Sequence, residues 1–267
     1  MTEQHLLDAL LLFAFALAPR QANGTLTSTV HARLHVVAFI AAVVAVVGIG
    51  GAAVVWLAFC VFGAASYVRR LGRDVLTLVG VAGGVPFAFS VVSAVWFVAA
   101  KNDLRLLGYA EAYSSYAALH GAVLGWWFVG SVAVLARRRA SPLWAACCLV
   151  AFALFVCVAI GINGVPALKV VGVVGLGVLV PGVIARHAVD VAAARGPSWW
   201  WSLLSLAGVV VSMCLALANE FWPGFPRVLG GLPTMVVVHG VLNAVVVVPA
   251  FARAVDVERR QWASPPT

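Results

Sequence analysis

The sequence predicts an all-α fold, a polytopic transmembrane helix bundle of eight or nine spanning helices, and three observations predict it. The residues are 64% hydrophobic and only 10% charged, against about 25% charged in a soluble domain. So few charges cannot cover a water-exposed surface, and a mean hydropathy of +1.06 says the same. The apolar residues fall in long runs, and about 20 of them in a row cross the hydrocarbon of a bilayer as a helix. Finally, most of the basic residues collect on one side when the runs are threaded back and forth.

The runs read as helices because backbone in lipid must satisfy its own hydrogen bonds. The first, 6–18, is short and carries Asp8; it can span, lie at the interface or enter partway. The next two lie at 34–50 and 52–68. The fourth, 75–100, holds Gly80 and Gly84 at G-x-x-x-G spacing, a close-packing signal, and Pro86, which is expected to kink or open it. The fifth, 116–136, repeats the spacing at Gly121 and Gly125 and carries Trp126 and Trp127, deep enough to fill space between helices. Runs at 143–162, 167–185, 199–219 and 233–251 complete the set. No hydrophilic stretch is long enough for a soluble domain, so 1–267 reads as a single integral membrane domain.

With all nine runs spanning, one side collects Arg20, Arg33, Arg69, Arg70, Arg73, Arg137, Arg138, Arg139, Arg186, Arg195, Arg253, Arg259 and Arg260. The other keeps only Lys101, Arg105, Lys169 and Arg227. The first side is therefore cytoplasmic, the C-terminus with it, in a cell-membrane protein. Losing the first span would change only the side of the N-terminus. Trp56, Trp96 and Trp222 fall near outer ends of runs, and Trp144, Trp199, Trp200 and Trp201 near inner ends, as an aromatic belt requires. The net charge of +8 points to anionic lipid as partner rather than to nucleic acid. The leading segment carries Glu3 and Asp8 and no Lys or Arg, the wrong charge for a signal-peptide n-region. The cysteines, Cys60, Cys147, Cys148, Cys157 and Cys214, all sit in apolar runs without C-x-x-C spacing and read as small apolar residues.

Polar groups inside the hydrocarbon mark candidate sites, because burying them there is costly. His120 and His239 lie about four and six residues into their runs from the outer end, roughly 6–9 Å deep at 1.5 Å per residue. Asn243 stands one turn beyond His239 on the same face, and Tyr113 and Tyr116 precede His120 on its face. Glu220, Glu111 and Asn163 lie at the same outer side. His120, His239, Asn243, Glu220 and Tyr116 are thus the candidate ligand-binding residues. His120 is the first choice of partner for His239, and Glu220 the second. Histidine with carboxylate can bind a transition metal, pass protons or hold an anion; which of these applies, and any metal or cofactor, stays open. No H-E-x-x-H, G-x-S-x-G or Walker loop is present, so no catalytic residue is assigned. His31 and His35, one turn apart beside Arg33, read as interfacial anchors, as does His187 beside Arg186. Lys169 reads as a side chain reaching the outer headgroups.

The fifth run opens LHGAVLGWW and the ninth VHGVLNAVV, each followed by basic residues. That likeness suits a parallel four-plus-four repeat of runs two to five and six to nine.

On these residues the chain resembles the YndJ-like family of bacterial and archaeal membrane proteins. LPTMVVVHGVLNA, Leu232 to Ala244, looks like that family's His-Gly-x-x-Asn-Ala segment near the C-terminus. YAALHGAVLGW, Tyr116 to Trp126, falls at its earlier histidine helix, and LLLFAFALAP, Leu10 to Pro19, is similar to its N-terminal apolar-proline segment. The family pattern has two histidines at the earlier helix; here Ala118 stands two before His120. The resemblance implies a multi-pass membrane protein, sometimes labelled a transporter, without an established substrate.

Three functions compete. The first is a transporter-like or small-ligand-binding protein, taking a small molecule or ion at an outward-facing histidine site. The second is a membrane enzyme or redox protein with histidines as metal or haem ligands, which metal analysis and a visible spectrum would expose. The third is a non-catalytic partner subunit, which would copurify with its partner.

Overall fold

The computed structural model describes residues 2–22 and 29–263. Among the described residues there are nine long helices: α1 (Glu3–Ala22), α2 (Thr29–Val46), α3 (Ala53–Leu71), α4 (Leu78–Lys101), α5 (Glu111–Arg138), α6 (Pro142–Ile162), α7 (Pro166–Asp190), α8 (Pro197–Phe221) and α9 (235–263). Eight of them, α2 to α9, are long and apolar enough to cross a membrane. The fold is all-α and the chain is a multi-pass membrane protein. The helix ends agree with the apolar runs to within several residues, except that α9 continues past the predicted end at 251 into charged sequence. A two-residue hairpin, Val228–Leu229 (β1) against Leu232–Pro233 (β2), precedes α9. Its turn is Gly230–Gly231, both at positive φ, as a tight hairpin turn needs.

The chain divides into two compact units, 1–148 and 149–267. In the first unit α1 lies outside the eight candidate spans but is a helix of 20 residues, about 30 Å long. It buries Leu7, Leu11, Ala14, Phe15 and Ala18, a stripe at helical spacing. Phe15 stacks on Trp56 at 4.1 Å and meets Phe97 edge-on at 5.2 Å; Trp126 packs 5.8 Å from Trp56. Trp126 and Trp127 fill space between helices as expected, being almost wholly buried. Trp56 and Trp144 depart from the belt reading: both are buried. Trp56 looks peripheral in sequence because it stands near a helix end, but α1 covers it. Trp200, Trp201 and Trp222 are exposed.

His31 and His35 are corrected in the same way. His31 is buried with its ring 4.7 Å from that of Phe59. His35 places Nε2 2.9 Å from the Phe15 carbonyl oxygen of α1. They join α2 to its neighbours rather than anchoring it to headgroups.

The glycine spacings mark close approach. On α4, Tyr67 donates its hydroxyl to the Gly80 carbonyl at 2.7 Å, and a Cβ on Gly83 would fall 2.2 Å from that hydroxyl oxygen. On α5, Gly121 and Gly125 lie against Ser93 and Phe89 of α4. α4 continues through Pro86 as a single helix.

In the second unit, Gly172 and Gly175 of α7 lie against Leu154 and Val158 of α6. The buried face of α8 is made of Ser198, Ser202, Ser205, Val209 and Ser212, spaced alternately by four and three residues so that all fall on one side. These small side chains let α9 approach closely, and their hydroxyls supply polar contacts. Of the cysteines, Cys60 and Cys148 are buried while Cys214 is exposed.

Candidate functional site

Both His-Gly helices abandon α geometry at these residues. In α5 the backbone is π-helical over Gly121–Phe128, directly after His120. In α9 it is π-helical over Met235–Gly240, which contains His239, and again over Leu242–Val247, which contains Asn243. A π turn carries i→i+5 bonds and is rare, and such turns are frequent at functional sites. The changeover disturbs the hydrogen-bond ladder, and buried serines from neighbouring helices donate to carbonyls there. Ser93 of α4 donates to the Ala118 carbonyl at 2.7 Å, just before the π stretch of α5. Ser205 of α8 donates to the Val247 carbonyl at 2.8 Å, where α9 returns to α geometry.

His239 sits in this distorted stretch, facing α8. Its Nδ1 is 2.9 Å from the Ser212 hydroxyl oxygen and 3.0 Å from the Ser212 carbonyl oxygen. A carbonyl only accepts, so Nδ1 carries a proton and donates; in the neutral ring Nε2 is then the acceptor. Asn243 donates its side-chain amide to the Ser212 hydroxyl and to the His239 carbonyl, the latter at 2.9 Å. His239 and Asn243 thus meet through Ser212, which is fully buried. Ser212 is a polar partner from another helix, of the kind expected for His239, though not one of the two residues named for it. It is the residue that sequence reasoning misses, although the four-three spacing of the α8 serines signals it.

The remaining candidates have other partners. Glu220 ends α8 in an ion pair with Lys169, 2.8 Å apart; Lys169 therefore meets a carboxylate rather than only headgroups. Tyr116 donates its hydroxyl to Glu3 of α1. His120 lies on an exposed part of α5, its Nδ1 2.9 Å from its own helix's Tyr116 carbonyl oxygen.

Around Tyr116 a second polar group gathers in the first unit. Lys101 lies 2.7 Å from Asp8 and 3.7 Å from Glu111, and Gln4 bonds both Asp8 and Ser115 at 3.0 Å. The Lys101 and Asp8 side chains are 7% and 9% exposed, so this is a buried ion pair. It places the start of α1 beside the end of α4. Lys101 reads from the sequence as a loop charge because nothing local reveals a partner so distant along the chain.

Among the described residues, no three His, Cys, Asp or Glu side chains are grouped so as to hold a metal ion. Comparison with family models, with curated proteins and with solved structures gives no match.

Proposed function

We propose that this chain is a transporter-like or small-ligand-binding protein, similar to the YndJ-like family, whose site is built on His239, Asn243 and Ser212. The observation that carries the reading is the hydrogen-bonded cluster on a π-helical stretch of a spanning helix. Polar groups are costly there and mark candidate substrate or ion pathways, and π turns are rare and frequent at functional sites. Glu220, farther along α8 than Ser212, pairs with Lys169 near the start of α7. His120, beside the π stretch of α5, is the corresponding candidate in the first unit, with Tyr116 one turn before it. The π turns at both His-Gly segments also support the repeat reading. The ligand is a small polar solute or ion.

The test is ligand-dependent stabilisation of the purified protein across a panel of small anions, cations and polar solutes. A ligand at a hundred times its Kd stabilises by about 2.7 kcal/mol. His239→Ala is expected to abolish that stabilisation, and any flux in proteoliposomes, while leaving a folded, inserted protein. An interhelical hydrogen bond in a membrane contributes only about 0.6 kcal/mol, so folding survives its loss. If His239→Ala binds and transports normally and merely melts earlier, the cluster is structural.

The cytoplasmic placement of the C-terminus belongs to this reading and rests on charge bias. A cysteine placed at position 138, in a background without native thiols, is expected to react with an impermeant maleimide only after the cells are permeabilised. Labelling in intact cells would reverse the orientation.

A further inference from the structure

Beside Arg186, His187 looks in sequence like an interfacial anchor, yet it is wholly buried. Its Nε2 is 2.9 Å from Oε2 of Glu258, and its Nδ1 is 2.8 Å from the Ser202 hydroxyl oxygen. Glu258 is itself buried. It reaches His187 because α9 extends beyond its apolar run, which brings together residues 71 positions apart. Phe251 closes one side, its ring edge-on at 5.5 Å from the imidazole. Ionisable groups buried in a membrane protein are functional candidates, and none of the sites above uses this one.

We propose that His187 and Glu258 form a proton-binding site that loads and releases one proton through a pocket between the end of α7, the start of α8 and the last turns of α9. The heavy atoms accommodate both states without moving. The Ser202 hydroxyl has one hydrogen and two acceptors: the Ser198 carbonyl oxygen, also 2.8 Å away, and His187 Nδ1. In the loaded state the hydroxyl donates to Ser198, Nδ1–H donates to Ser202, and a second proton lies between Nε2 and Glu258. In the unloaded state the hydroxyl turns to donate to Nδ1, and Nε2–H donates to the Glu258 carboxylate. Loading takes one proton from water and release returns it; no bond between heavy atoms forms or breaks.

The proton has a route. Glu258, Ser198, Asp190 and Trp199 line a pocket of about 240 Å³, room for several waters at about 30 Å³ each. The charged neighbours are arranged in pairs. From α7, Asp190 lines the same pocket and is 2.9 Å from Arg186. From α9, Asp256 is 3.0 Å from Arg259, with Arg260 in the following position. The face that α8 turns to the site contributes the hydroxyls of Ser198 and Ser202. Arg195 stands exposed in the preceding turn.

The experiment uses the full chain in nanodiscs and counts protons taken up between about pH 9 and pH 5, a window that brackets the pH 5–8 over which an unperturbed imidazole changes charge. Wild type is expected to take up one proton more per molecule than Glu258→Gln, which keeps the shape and a hydrogen bond to His187. Asp256→Asn, on α9 but outside the pocket lining, is expected to match wild type. In ¹⁵N-histidine spectra of wild type, the His187 signal, assigned by its loss in His187→Gln, should change with the midpoint of that proton uptake. Equal uptake by wild type and Glu258→Gln would overturn the proposal. So would a His187 signal that stays constant over the whole range, a readout that stands even if the variant fails to fold.

Discussion

Lys101→Met is expected to destabilise the first unit by about 3–5 kcal/mol, the cost of leaving one member of a buried ion pair without its partner. Asp8 and Lys101 are both almost wholly enclosed, and neither can turn to water without unseating α1 from α4. The stranded Asp8 would retain Gln4 as a donor, which satisfies an oxygen but not the charge. Replacing both residues, as Asp8→Asn with Lys101→Met, should restore most of the loss, because it removes the desolvated charge along with its partner. Glu111 is a control: it lies 3.7 Å from Lys101 with its side chain 49% exposed, and Glu111→Gln should cost no more than about 1 kcal/mol. Denaturant titration in detergent, followed by the fluorescence of the buried tryptophans, would rank the variants. Equal stabilities for Lys101→Met and Glu111→Gln would mean that the pair contributes nothing to holding α1.

Gly125→Ala is expected to be the most damaging single methyl addition on α5. The added carbon would fall 2.1 Å from ring atoms of Phe89 and 2.5 Å from its Cβ. Phe89 is fully buried, so its ring has no space to retreat into and α4 must move. Overpacking of an ordinary kind costs about 1–3 kcal/mol; this contact lies at or above that range because it involves an atom fixed to the backbone of α4. Neighbouring glycines form a graded series. At Gly121 the closest atom, Ser93 Cβ, is 3.0 Å away, and at Gly130 it is Pro86 Cβ at 3.8 Å. Gly121→Ala should cost less than Gly125→Ala. Gly130→Ala should be at least as stable as wild type, since alanine is the better helix former by about 1 kcal/mol. Melting temperatures of the three variants in one detergent would check the order, and the reverse order would remove the close-packing account of these glycines.

The spanning helices were legible because lipid imposes a one-dimensional rule, an uninterrupted apolar run of set length. The polar contacts were legible only where they are local. Asn243 and His239, one turn apart, could be placed on one face; the spacing of the α8 serines sets Ser212 on a face too, but nothing local says which helix that face meets, since a serine in an apolar run can satisfy itself on its own backbone. Its sister Ser202 does so in part, donating to Ser198. His31, His35 and His187 look interfacial in sequence for a shared reason. Each stands near an arginine at the end of an apolar run, which looks like an interface, but the helices extend beyond the runs and their inner faces are covered. Those covers come from far along the chain, from Phe15 for His35 and from Glu258 for His187. The π-helical turns left no trace in composition, because glycine and valine occur as freely in the α-helical stretches.

The ion pair between α1 and α4 also sets an order of events during synthesis. Asp8 and Lys101 are 93 residues apart, and at about 5–20 residues per second the ribosome needs roughly 5–20 s to reach the second after the first. Throughout that interval α1 carries a carboxylate whose buried cation does not yet exist. The contact that seats α1 against the end of α4 can therefore form only after α4 is complete.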